Sequence, residues 1–201
     1  MPAATVDYYL ATVSPWGYLG HARFVAMTQA AGATVRVKPI DLGEILPLSG
    51  GLPLARRAPQ RLAYRLVELQ RFSRHLGIPL HPQPAHFPVN GNDAALLILA
   101  TDAALGSAAA LDLAGRVGAA IWAEQRNLAD PAVLAALLAE AGLPASLLDP
   151  AALAAAAPRY AACTAEARDL GVFGAPSYVI DGEIFWGQDR LDFVQRRLQA
   201  G

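Results

Sequence analysis

Strand-like periodicity occurs at the two ends of the chain and nowhere between, and that separation limits the folds open to it. Residues 5–10, TVDYYL, alternate imperfectly and carry Val and two Tyr, which suits a strand. An apolar helical stretch, SPWGYLGHARFVAMTQAAG, follows, with Ser14 placed as an N-cap and Pro15 in the first turn. Gly32 ends it, and TVRVKPI at 34–40 alternates again. This is a β-α-β beginning whose two strands run parallel. At the other end, an apolar run at 177–180, the turn Asp181–Gly182 and a second run EIFW predict a hairpin. An amphipathic helix is expected from about Asp189.

Neither end piece closes a core alone. The reading is an α/β fold with one four-stranded sheet, strand 34–39 beside strand 5–10 and the hairpin on the other side of that first strand. Residues 1–42 and 170–201 would form this layered domain, and 43–169 an inserted helical domain covering the sheet end that bears Ser14. Within the insertion, LGEILPLSGGLPLARRAP reads as loop. QRLAYRLVELQRFSRHLG has helical spacing of Leu62, Leu66, Leu69 and Phe72, and the proline-rich IPLHPQPAHFPVNG is an extended connection. From Asn92 to about Leu170 the pattern is helical, punctuated at Gly106, at NLADP, at AGLPASLLDP and at Pro158.

Composition removes several function classes. Hydrophobic content of 54% against 16% charged argues against a disordered chain. With 16 basic and 17 acidic side chains spread along the sequence, nucleic acid and anionic membrane are poor partners. The start lacks a basic leader region, and Asp102, Gly106 and Asp112 break the longest apolar stretch before it could span a bilayer. A cytoplasmic protein is expected. Cys163 is the only cysteine, so an intramolecular disulfide and a thiolate-rich metal site are both excluded, and its helical setting reads as a buried thiol. The histidines show no metal-binding spacing, and His81 and His86 merely flank a proline-rich loop. No metal is expected.

Chemistry concentrates at a few positions. Ser14 stands where a strand ends and a helix begins, a place where backbone N–H groups and the helix dipole favour an anion such as a thiolate. Capping alone also explains it. Ala175–Pro176 precedes the strand at 177–180, as a strand boundary or as a cis bond presenting Ala175 outward. Gln188 and Asp189 open the last helix, with capping or an ammonium partner as readings. Arg61 and Tyr64 share a helix face, Asn90 ends the proline-rich loop as a turn or cap, and Trp16 sits beside Ser14. Trp122 and Trp186 read as core anchors.

Three segments together, DYYLATVSPWGYLG, HFPVNGNDAAL and DLGVFGAPSYVIDGEIFWGQDRLDFVQRRL, resemble the 2-hydroxychromene-2-carboxylate isomerases. Those enzymes belong with the kappa-class glutathione transferases and the DsbA-like branch of the thioredoxin superfamily. The resemblance implies a thioredoxin-like sheet with a helical insertion, a homodimer, and glutathione as cofactor for isomerising a small aromatic substrate in aromatic-compound degradation. It implies that Ser14 approaches the glutathione sulfur and that Ala175, Pro176, Gln188, Asp189 and Asn90 hold the tripeptide. Trp16, Arg61 and Tyr64 would meet the substrate. The chain departs from the family pattern at Gly17, and at Gly51 where an asparagine is usual. A kappa-type transferase or peroxidase and a non-enzymatic binding module are the alternatives. Disulfide exchange fails, because Ser14 and Gly17 replace the C-x-x-C cysteines.

Overall fold

The computed structural model describes residues 4–200. Its single sheet has the order β2-β1-β3-β4. β1 (Thr5–Leu10) and β2 (Thr34–Pro39) run parallel, and β3 (Ser177–Ile180) lies antiparallel on the other side of β1 and forms a hairpin with β4 (Glu183–Trp186). The two ends of the chain therefore share one sheet, as their periodicity predicts. The hairpin turn places Asp181 and Gly182 at positive φ (51° and 83°), the conformation that a two-residue loop matched to strand twist requires.

Helix α1 (Pro15–Ala30) crosses from β1 to β2, and α8 (Leu191–Gln199) follows the hairpin. Both cover one sheet face, where Tyr8, Phe24 and Tyr178 form an aromatic cluster with ring centroids 4.5–5.3 Å apart. Three of the inserted helices, α4 (Asn92–Leu105), α5 (Ser107–Trp122) and α6 (Pro131–Glu140), extend that core around the fully buried Trp122. The other face holds Tyr9 and Val179 against Cys163 and Ala167 of α7 (Pro150–Asp169). Cys163 is buried among apolar neighbours, and that burial pushes its thiol pKa up.

The insertion does not sit as one body over the Ser14 end. The segment after Asp41, α3 (Pro59–Leu76) and the loop running on to Gly91 reach that end, whereas α7 runs beneath the sheet. The reason is apolar area: β1 is buried on both faces, and the insertion supplies the cover for the second. Two further readings are corrected. Pro158 does not punctuate α7 but lies inside it. A proline there removes one helical hydrogen bond, at a cost of about 3 kcal/mol, and burial of Ala156, Cys163 and Ala167 around it offsets that loss. The stretch after Asp41 is not all loop, since Asp41 accepts from the Gly43 N–H and starts a single turn, α2 (Leu42–Ile45), followed by 3-10 turns at Leu46–Ser49 and Leu54–Arg56. Trp186, read as a core anchor, is half exposed at the end of an edge strand and packs edge-on against Phe173 at 4.7 Å.

His21 joins α1 to α5. Its Nε2 is 2.8 Å from the Leu111 carbonyl, which can only accept, so Nε2 carries the proton and Nδ1 accepts from the Tyr8 hydroxyl at 3.2 Å. Burial holds its pKa below the usual 6.5. The unfolded chain therefore binds a proton that the folded one refuses, and stability present above pH 6.5 is lost as pH falls toward the folded value, by up to about 1.4 kcal/mol per pH unit. In a proton NMR titration the His21 ring should stay neutral to a pH below its ordinary 6.5. A His21 resonance titrating at or above 6.5 would contradict this assignment.

Candidate active site

Ser14 ends the turn after β1 and caps α1. Its backbone is extended (φ −80°, ψ 120°), and its Oγ accepts from the Gly17 N–H at 3.2 Å. Its own proton goes to the Ala175 carbonyl at 3.3 Å, a long bond that spans 161 residues of sequence. The two ends of the chain thus meet at one hydroxyl. Ala175–Pro176 is cis, and the Pro176 carbonyl accepts from the Gly187 N–H at 2.9 Å. Among the described residues, the N–H groups of Trp16 and Ala175 find no partner. Ser14 and Ala175 are both largely buried, at 6% and 8% exposure, so a ligand atom between them would meet fixed dipoles in a water-poor setting.

The other sequence-derived positions divide. Gln188 does not present its side chain: it is 2% exposed, and Arg23 donates to both its Oε1 and its carbonyl, the latter at 2.9 Å. Gly20 of α1 permits that close approach, because a Cβ there would lie 2.8 Å from the Gln188 Cβ. Asp189 is exposed and paired with Arg190 at 2.7 Å. Asn90 accepts from the Asn92 N–H at 2.9 Å and so serves as the turn that opens α4. It is kept at the Ser14 end by its neighbour Gly91, whose carbonyl accepts from Thr12 Oγ1 at 3.0 Å. Trp16 is half-buried against Phe72 of α3, with centroids 5.9 Å apart. Arg61 and Tyr64 are exposed on α3 and make no hydrogen bond or ion pair among the described residues.

Two contributors escaped the sequence reading. Arg23 has no acidic residue three or four positions away, which hinted at a distant partner. Thr12 carried no such signal. A cavity of about 390 Å³ lies away from this site, between β2 and α7, lined by Arg36, Lys38, Arg159, Asp102, Glu166 and Cys163. Each of its cations already has a carboxylate partner, so it presents no unmatched charge. Among the described residues no three metal-ligating side chains cluster, and no helix is long and apolar enough to cross a membrane.

The family description DSBA-like thioredoxin domain matches residues 5–199. The chain is 33% identical over 196 residues to a 2-hydroxychromene-2-carboxylate isomerase from Pseudomonas putida, covering 94% of this chain and 92% of that one. A solved structure of 2-hydroxychromene-2-carboxylate isomerase superposes with a TM-score of 0.84 at 29% identity, over 98% of this chain and 95% of that one. A shorter match, 34% identity over 80 residues, is to glutathione S-transferase kappa 1 from Caenorhabditis elegans, covering 39% of this chain and 35% of the relative.

Proposed function

The chain belongs to the DSBA-like thioredoxin family and, within it, to the 2-hydroxychromene-2-carboxylate isomerases, and from that premise we propose that it interconverts 2-hydroxychromene-2-carboxylate and trans-o-hydroxybenzylidenepyruvate with glutathione as cofactor. One observation carries the proposal: the Ser14 hydroxyl stands at the start of α1 opposite Ala175, in a chain whose only cysteine is buried in α7. A thioredoxin-like site without its own thiol has no route to disulfide exchange. It retains the means to stabilise a thiolate brought from outside.

The residues present suit glutathione at its cysteinyl part. The long Ser14–Ala175 bond is one that a thiolate can replace, because a charged acceptor makes the stronger hydrogen bond. The unpaired Ala175 N–H matches a peptide carbonyl, and the unpaired Trp16 N–H adds the helix-start field that lowers thiol pKa values. At the γ-glutamyl end the fit falls to Asp189, which would exchange Arg190 for the ligand ammonium, while Gln188 acts through its Arg23-fixed backbone. When bound, glutathione supplies a thiolate nucleophile for reversible addition to a conjugated double bond. Ser14 holds that charge in place, and Trp16 and the α3 wall restrict the pose of the substrate. We further propose a cytoplasmic homodimer.

Thermal shift with glutathione, followed by an absorbance assay on hydroxychromene carboxylate, tests this. A raised melting temperature and glutathione-dependent isomerisation are expected, with sedimentation as a dimer at micromolar concentration. Stabilisation by glutathione without isomerisation, but with turnover of haloaromatics or hydroperoxides, would replace the proposal with a kappa-type transferase or peroxidase. Glutathione binding without turnover of any electrophile would leave a binding module.

A further inference from the structure

Positive charge without a counter-charge gathers along one side of α3. Arg57 stands two residues before the helix, and Arg61 and Arg65 follow at four-residue intervals, so the latter two share a face. Among the described residues no carboxylate lies within 4.0 Å of any of the three, Glu68 included. Arg57 is half-buried and anchored by its Nε, which donates to the Leu52 carbonyl at 2.9 Å. Arg65 is half-buried too, its guanidinium 5.5 Å from the centroid of Phe87 and 5.7 Å from that of Trp122. Beside it the fully buried Trp122 carries an indole N–H with no acceptor among the described residues.

Donors therefore outnumber acceptors here, and the cations repel one another. Desolvation and the neighbouring Arg61 push the Arg57 pKa down, and desolvation together with Arg57 does the same at Arg65. Like charges at this spacing destabilise a helix, and a half-buried guanidinium without an anion forgoes its strongest partner. The wall belongs to the Ser14 end of the molecule. The loop bearing Phe87 closes onto Thr12 through Gly91 at 3.0 Å, and α3 meets Trp16 through Phe72.

We propose that Arg65, assisted by Arg57, is the carboxylate subsite of this active site, selecting flat, conjugated acids whose body lies along Phe87. The inference rests on the isomerase reading above and deepens it by naming what discriminates the substrate. An uncharged electrophile of the same shape leaves the guanidinium groups unmatched and binds poorly.

The test uses Arg65→Met, which keeps the side-chain length, with Arg57→Met and Arg65→Lys alongside. At saturating glutathione, the KM for hydroxychromene carboxylate should rise roughly ten- to a hundredfold in R65M, the value of a hydrogen bond to a charged group, with kcat little changed. R57M should show a smaller rise, and R65K should recover part of the loss. Glutathione affinity by calorimetry should stay at the wild-type value. In parallel, trans-o-hydroxycinnamate should bind wild type and fail to bind R65M by indole fluorescence, while its amide should bind both weakly and equally. Unchanged KM and unchanged hydroxycinnamate binding in R65M, or in R57M where R65M does not fold, would overturn the subsite. So would loss of glutathione affinity in place of substrate affinity, since the arginines would then hold the cofactor. If wild type does not turn over the chromene, the isomerase reading fails, and the hydroxycinnamate arm still decides the subsite.

Discussion

Ser14→Ala should lower turnover roughly ten- to a hundredfold while leaving glutathione affinity nearly intact, because a hydrogen bond to a charged group is worth about 1.5–3 kcal/mol. The hydroxyl does two jobs that the variant separates. As a cap it accepts from the Gly17 N–H at 3.2 Å, and losing that costs about 1 kcal/mol of stability, with no reason for kinetics to change. As a donor it now spends its proton on the Ala175 carbonyl at 3.3 Å, the bond that a bound thiolate would take over. S14A removes this donor, so the pKa of bound glutathione should rise, read from thiolate absorbance in the ultraviolet. Asp189→Ala should show the reverse, with weaker glutathione binding and little effect at saturation, since Asp189 is exposed and its proposed partner is the ligand ammonium and not the sulfur. A fall in melting temperature with an unchanged thiol pKa and unchanged turnover would reduce Ser14 to a helix cap.

The parts of this molecule legible in sequence are those fixed by local rules. Ser14 and Pro15 start α1 as capping chemistry dictates, Asp181–Gly182 makes the hairpin, and the periodicity of the two ends places four strands in one sheet. What escaped depends on partners distant in the chain. Nothing near Gln188 in sequence shows that its side chain is taken by Arg23, 165 residues earlier. Pro158 reads as a breaker until the burial along α7 is known, and the same burial draws that helix under the sheet. Nothing in the local sequence singles out Arg57 and Arg65. Their significance depends on the absence of an acidic neighbour and on the Phe87 and Trp122 rings, which only the fold brings together.

Asp7→Ala should cause the largest loss of stability of any variant considered, about 3 kcal/mol or more. The Asp7 carboxylate, 9% exposed, accepts from Arg36 at 2.5 and 2.7 Å and lies 3.2 Å from the Lys38 ammonium, which is itself 10% exposed. Removing Asp7 leaves Lys38 buried with only Glu166, at 2.6 Å and 45% exposed, to balance it. A buried charge stripped of a partner is worse than no pair at all, so the double variant Asp7→Ala/Lys38→Met should regain much of the loss in urea unfolding. The consequence reaches the active site through α7. Glu166 ties that helix to the sheet, and Cys163, Ala167, Val172 and Ala175 lie in one buried cluster, so the same ion network steadies the residue facing Ser14. It also crosses the boundary between the outer segments and the helical insertion of 43–169. Unfolding followed by tryptophan fluorescence and by far-ultraviolet dichroism should therefore coincide in one transition. Two separated transitions in wild type would make the insertion an independently stable unit. An Asp7→Ala protein as stable as wild type would show that Glu166 alone satisfies Lys38 and that the network fastens nothing.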